Sequence, residues 1–178
     1  MNKIIFILLL LCNNNLLAKT GTVTGLEIPR FVSLKSDDVN LRVGPSINYP
    51  IELKYVHINL PVEVIEEFDA WRKFSDHKKN IGWVHKSLIK GDRFILINND
   101  SMIFKRPNGK PIGKVKINNV LKLDKCLKNW CKFQHKDING WISKRNLWGV
   151  YENEIYKLPF YQPIINKFWK FMDGITIK

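Results

Sequence analysis

Trp71-Arg72-Lys73-Phe74, followed by Asn80-Ile81-Gly82-Trp83-Val84, recurs as Trp130-Cys131-Lys132-Phe133, followed by Ile138-Asn139-Gly140-Trp141-Ile142. The offset is 59 residues at the first tryptophan and 58 at the glycine, a difference of one loop residue. Each copy ends in a short polar step and a leucine, His85-Lys86-Ser87-Leu88 and Ser143-Lys144-Arg145-Asn146-Leu147. Self-similarity at a fixed spacing marks a repeated structural unit. Two copies define a pair of small domains, one near residues 31–90 and one near 98–150.

Both units read as β-structure. Val39–Arg42, Ile51–Val56, Pro61–Phe68, Trp71–Ser75 and Ile81–His85 are short runs rich in branched and aromatic residues. Gly44-Pro45-Ser46, Asn59, Asp69 and Lys79-Asn80 separate them as turn formers. The second unit repeats the pattern in Met102–Lys105, Lys114–Ile117, Val120–Cys126, Trp130–Gln134 and Asn139–Ser143. No segment of either unit has the length and 3.6-residue period of a core helix. The expected fold class is all-β, with each unit a small, highly curved barrel that removes sheet edges by closing on itself.

The hairpin before each tryptophan makes a sharper expectation. With Lys128-Asn129 as a two-residue turn, Leu127 faces Trp130, and Cys126 faces Cys131 as a non-hydrogen-bonded pair. The Cβ atoms of such a pair approach to about 4.5–5.5 Å, within a modest adjustment of disulfide geometry. At the matched place the first unit has Asp69-Ala70 in the turn and Glu67 opposite Arg72. One unit is then expected to carry a covalent cross-strand pair where the other carries an ionic one. A zinc site with His135 as third ligand lacks an obvious fourth, so no metal is assigned.

The chain ends add a compartment. Lys3, the apolar run Ile4 to Leu11, the break at Asn13-Asn14-Asn15 and the small Ala18 have the layout of a signal peptide over residues 1–18, cleaved after Ala18. The run is too short for the roughly 20 residues of a membrane-spanning helix. Cys12 after a row of leucines raises a lipoprotein signal as the rival, with the large Leu11 against it. A secreted, periplasmic location agrees with the cysteines: Cys12 leaves with the signal, and an even pair remains for an oxidising compartment. The formal net charge is +13, of which only Lys3 is removed, leaving about +12 for contact with polyanions. Export argues against nucleic acid as partner.

Val39-Asn40-Leu41-Arg42-Val43-Gly44-Pro45-Ser46, followed by Tyr49-Pro50 and later by Gly82-Trp83-Val84, resembles the bacterial SH3 (SH3b-like) domain, in its opening strand and turn and in its closing strand. The resemblance extends to the tandem SH3-like exported proteins of alphaproteobacteria. It is carried there by Pro29-Arg30-Phe31-Val32-Ser33-Leu34-Lys35, Glu66-Glu67-Phe68-Asp69-x-Trp71-Arg72, Cys126-x-x-x-Trp130-Cys131 and Leu147-Trp148-Gly149-Val150-Tyr151. It covers roughly residues 29–151. The resemblance implies two SH3-like β-barrels in tandem and a module that targets peptidoglycan or serves as a protein-contact spacer. The second unit departs from it, with Ile103-Phe104-Lys105-Arg106-Pro107-Asn108-Gly109 where the Asn-Leu-Arg-x-Gly-Pro-Ser opening should recur.

Few residues invite chemistry. The four histidines, His57, His77, His85 and His135, make no recognisable arrangement with a nucleophile, so no catalytic residue and no cofactor is assigned. Glu66 and Glu67 read as a solvated strand edge. Trp71, Trp83, Trp130 and Trp141 read as core or barrel-rim residues. Arg42 reads as a brace for the Gly44-Pro45-Ser46 turn or a ligand clamp, and Tyr49 and Tyr55, flanking the first long loop, as ligand-stacking candidates. The tail, residues 151–178, is basic and aromatic. A short helix from Pro163, with Ile164, Ile165, Phe168 and Met172 on one side, would cap the second barrel or touch a membrane surface weakly. The expected function is non-catalytic binding of cell-envelope material, peptidoglycan first. The alternative is a periplasmic scaffold for another envelope protein.

Overall fold

A computed structural model describes residues 19–136 and 138–156. The expected signal peptide with Ala18 at its edge, Cys12, and the tail beyond Tyr156 lie outside the described residues.

A short hairpin, β1 (Lys19–Thr20) and β2 (Glu27–Ile28), leads into the first unit. That unit comprises β3 (Arg30–Leu34), β4 (Val39–Arg42), β5 (Ile51–Tyr55), β6 (Pro61–Phe68), β7 (Trp71–Ser75), β8 (Ile81–His85) and, after a 3₁₀ turn at Lys86–Leu88, β9 (Ile89–Lys90). The second comprises β10 (Phe94–Ile97), β11 (Ser101–Phe104), β12 (Pro111–Val115), β13 (Val120–Cys126), β14 (Trp130–His135), β15 (Ile138–Ser143), a 3₁₀ turn at Lys144–Asn146, and β16 (Leu147–Trp148). The two seven-stranded sheets have matched strand orders, β5-β4-β8-β7-β6-β3-β9 and β12-β11-β15-β14-β13-β10-β16. All pairings given for them are antiparallel. The fold is thus all-β and tandem, with seven strands per unit rather than the five read from the sequence. The additions are the first and last strands of each unit in chain order, β3 and β9 in the first and β10 and β16 in the second. The second unit opens at Phe94, not at 98, and β12 lies earlier than the expected Lys114–Ile117.

Alternation explains the interior. Along β7, Arg72 and Phe74 point inward while Trp71 and Lys73 point out, and β14 repeats this with Cys131 and Phe133 against Trp130 and Lys132. Leu34, Val39, Leu41, Val62, Val64, Phe74 and Val84 fill the first core. Ile95, Ile97, Leu121, Cys131, Phe133 and Ile142 fill the second. At the repeated Gly-Trp step, neighbouring strands approach too closely for a side chain. A Cβ on Gly82 would lie 2.6 Å from Leu41 Cγ, and one on Gly140 2.5 Å from Ile103 Cγ2.

The two cores meet through β10. Ile95 and Ile97 enter the second core while Leu96, between them, enters the first. Trp148 crosses the same boundary. Its indole packs edge-on to Phe31 at 5.1 Å, its Nε1 donates to the Pro61 carbonyl at 3.0 Å, and Lys79 Nζ sits 5.1 Å over it. Gly149 then turns the chain at φ +105, where a Cβ would meet the Phe94 carbonyl oxygen at 2.5 Å.

Cys126 and Cys131 are cross-strand partners joined as a disulfide, with Cα atoms 4.0 Å apart. The matched pair Glu67 and Arg72 shares the register and forms an ion pair at 3.4 Å, the substitution of ionic for covalent linkage expected from the repeat. Because the disulfide closes a very short loop, its reduction is expected to cost about 2 kcal/mol, the low end of the usual range. Urea unfolding with and without reductant measures this. Equal midpoints would show that the bond adds nothing.

Candidate functional site

The four repeated tryptophans do not join either hydrophobic cluster. They stand on the outer faces, and cross-strand register sets their neighbours. In the first unit one row reads Arg42, Trp83, Lys73, Glu66 across β4, β8, β7 and β6. In the second it reads Phe104, Trp141, Lys132, Lys125 across β11, β15, β14 and β13. Beside these rows, Trp71 lies opposite His85 and Trp130 opposite Ser143.

The matched rows differ in what they leave available. In the first, Lys73 Nζ bonds Glu66 at 3.3 Å and lies 5.7 Å over the Trp83 ring, which is buried. Arg42 Nη1 donates to the Tyr49 carbonyl at 2.7 Å, so Arg42 braces the Gly44-Pro45-Ser46 turn. Trp71 stacks edge-on with His85 at 5.6 Å. This row is self-satisfied. In the second, Phe104 replaces the arginine and meets Trp130 edge-on at 5.0 Å, with half-buried Trp141 beside it. Lys125 replaces the glutamate, its ammonium 5.4 Å over the Tyr156 ring, while Lys132 pairs with Asp124 at 3.2 Å. The second barrel therefore presents a half-exposed aromatic triad, Phe104, Trp130 and Trp141, flanked by Lys125, which has no carboxylate partner among the described residues, and by the Asp124-paired Lys132.

The sequence-based candidates fall in different places. Tyr49 is 46% exposed, and its ring packs on Gly44, where a Cβ would come within 2.5 Å. Tyr55 is not a stacking residue. It is 7% exposed, joins the first core and donates its hydroxyl to Asp76 at 2.9 Å. Burial, and then the Asp76 charge, raise its pKa. Asp76 also accepts from the Lys78 and Asn80 amides at 2.8 and 2.9 Å, so the pair builds the β7–β8 turn. Glu66 is solvated as expected, but Glu67 is not. The Glu67 carboxylate is fully buried and accepts from Thr24 Oγ1 (2.7 Å), the Thr24 and Val23 amides (2.9 and 3.0 Å) and Arg30 Nη2 (2.7 Å). It ties the N-terminal hairpin to the barrel. Burial pushes its pKa up, but the bonds from Thr24, Arg30 and Val23 outweigh this and hold it at about 2.

Among the described residues no three His, Cys, Asp or Glu side chains gather as a metal site, and no helix is long and apolar enough to cross a membrane.

Two small all-β units with matched strand orders have the architecture of a tandem SH3-like protein. The chain belongs to the bacterial SH3 domain family, whose model matches residues 35–91 and 107–149, more than half of it. Solved structures similar to it include NlpC2 from Trichomonas vaginalis (11% identity, TM-score 0.31, 70% of this chain and 49% of that one). Another is an NlpC/P60 family protein from Bacillus cereus (12% identity, TM-score 0.32, 76% of this chain and 61% of that one). The chain thus spans between about half and three-fifths of their lengths. No curated protein matches it in sequence.

Proposed function

We propose that the protein is an exported, non-catalytic binding module for cell-envelope material, with peptidoglycan as its ligand. The outer face of the second barrel makes the contact. The observation that carries this reading is the half-exposed triad Phe104, Trp130 and Trp141 on a strongly basic chain. Aromatic faces pack against the C–H faces of sugar rings, and flanking lysines suit the acidic peptide stems of the polymer. Membership of the bacterial SH3 family supports a binding rather than a chemical role.

The test is a pull-down of residues 19–178 on purified sacculi across a salt series. Binding is expected to persist at high salt and to weaken about tenfold, or about 1.4 kcal/mol, in each of Trp130→Ala and Trp141→Ala. Tyr49→Ala is expected to bind as wild type. Binding abolished by salt alone would reduce the contact to charge sticking to a polyanion, and no binding at low salt would sink the reading. A second reading, a scaffold for another envelope protein, is favoured by the apolar first loop, where Val43, Ile47, Tyr49 and Ile51 are exposed, Ile47 by 74%. Absence of sacculus binding with co-purification dependent on Ile47 would select it.

A further inference from the structure

Lys144, at the start of the 3₁₀ turn after β15, is only 7% exposed. Its ammonium donates to the Glu152 carbonyl at 3.2 Å and the Glu154 carbonyl at 2.6 Å. An ammonium carries three N–H donors, so one is left over. Among the described residues no carboxylate pairs with it, the nearby Glu154 side chain being engaged by Arg93 at 2.9 Å. Burial pushes the Lys144 pKa down, opposed by the Glu154 and Glu152 charges. A buried cation without a counter-charge is costly and favours an anionic partner.

The place for that partner is beside it. Lys144 lines a cleft of about 400 Å³ together with Lys128, Asn129, Arg145, Leu147, Val150 and Glu152. Three cations face one carboxylate there. The cleft adjoins the aromatic face, since Asn129 precedes Trp130 in the chain and its carbonyl accepts the Lys144 amide at 3.0 Å. The first barrel has a comparable cleft of about 370 Å³, lined by Arg30, Arg72, Lys86 and Lys90 among others, but without a buried lysine. Its matched Lys86 is exposed, and the half-buried Arg30 and buried Arg72 near it share the Glu67 carboxylate, a counter-charge that Lys144 lacks among the described residues.

We propose that this cleft binds an oxyanion, a carboxylate or a phosphate, carried by the polymer that lies on the Phe104, Trp130 and Trp141 face; the proposal rests on the envelope-polymer reading above. The aromatic triad holds the sugar, and Lys144, Lys128 and Arg145 select strands bearing a negative group.

Two experiments on residues 19–178 separate the parts. Titration with acetate and with inorganic phosphate, followed by amide shifts, should give saturating shifts at Asn129, Lys144, Leu147 and Val150 that are lost in Arg145→Glu. Shifts that never saturate, or that spread over lysines elsewhere, overturn the cleft. Arg145 is exposed, so this variant keeps the test independent of Lys144→Met, which loses a buried contact and can fail to fold. In the second, sacculus binding at fixed salt should fall at least tenfold in Arg145→Glu. The same loss should follow amidation of sacculus carboxylates if the anion is a carboxylate, or hydrofluoric-acid removal of phosphopolymers if it is a phosphate. Normal binding by Arg145→Glu and to both treated materials removes the cleft while leaving the aromatic reading intact. Saturating anion shifts in a protein that binds no sacculi remove the polymer reading and leave the cleft.

Discussion

Glu67→Ala is expected to lower the stability of the protein by about 3–5 kcal/mol, the cost of breaking a buried ion pair from one side. The carboxylate is fully buried and pairs with two guanidinium groups, Arg30 at 2.7 Å and Arg72 at 3.4 Å, neither of which has another acid partner among the described residues. Truncation leaves both cations partly unpaired and also releases the Val23 and Thr24 amides. Glu67→Gln keeps an acceptor and should lose less. Urea unfolding at pH 7 gives the magnitude, and hydrogen exchange at Val23 and Thr24 tests whether the hairpin detaches. Unchanged midpoint and unchanged protection would show the network to be ornamental. The same group sets an acid limb. Its carboxyl is held at about 2 in the fold against an ordinary 4.5, so its contribution is complete above pH 4.5 and is lost as pH falls from there toward 2. The linkage amounts to about 3 kcal/mol. Wild type should lose stability over that window, and Glu67→Gln should show a flatter acid limb.

Much of this architecture was legible because the chain repeats itself. The match of Trp71 to Trp130 fixed the hairpin register, and the register placed Glu67 opposite Arg72 and Cys126 opposite Cys131 before any coordinates. What escaped has two physical causes. Phe94-Ile95-Leu96-Ile97 carries no apolar–polar alternation because its two faces enter two different cores. A strand buried on both sides lacks the period of 2 by which a half-buried one is recognised. The second unit was therefore begun too late. The tryptophans were read as core or barrel rim without a choice between the two, and the structure divides them, Trp83 being buried and Trp71, Trp130 and Trp141 half-buried. The deciding signal lay two residues away, since positions i and i+2 of a strand share a face. Lys73 and Lys132 are solvated residues, so Trp71 and Trp130 had to point outward with them. Tyr55 failed in the opposite sense. Its place beside a loop suggested exposure, but its acceptor, Asp76, is 21 residues on in the β7–β8 turn, a contact that neither spacing nor repeat discloses. Glu67 was hidden for the same reason, its partners Val23 and Thr24 lying outside the repeat.

Trp148→Ala is the second large effect, expected at about 3 kcal/mol, toward the low end for tryptophan truncation because the side chain is half-buried rather than enclosed. Its consequence is more specific than destabilisation. The backbone of β16 stays paired with β10, Trp148 opposite Leu96 and Leu147 opposite Ile97, so the second sheet survives the substitution. What disappears is the ring that spans the boundary: the edge contact to Phe31, the bond to the Pro61 carbonyl and the seat for Lys79. Wild type should unfold in one cooperative transition because the two cores share β10 and Trp148. Trp148→Ala should instead separate the transitions, the disulfide-bearing second barrel outlasting the first. Urea unfolding read by far-ultraviolet circular dichroism and by amide exchange in each barrel distinguishes the cases. A single coincident transition at the wild-type midpoint would mean that the remaining contacts, Leu96 and Val120 in the first core and Tyr151 and Arg93 on Phe31, suffice to couple the units. Trp148→Phe preserves the stacking but leaves the Pro61 carbonyl unpaired, and the expected cost is about 1 kcal/mol. The ordering wild type, Phe, Ala therefore divides the coupling between the indole N–H and the ring.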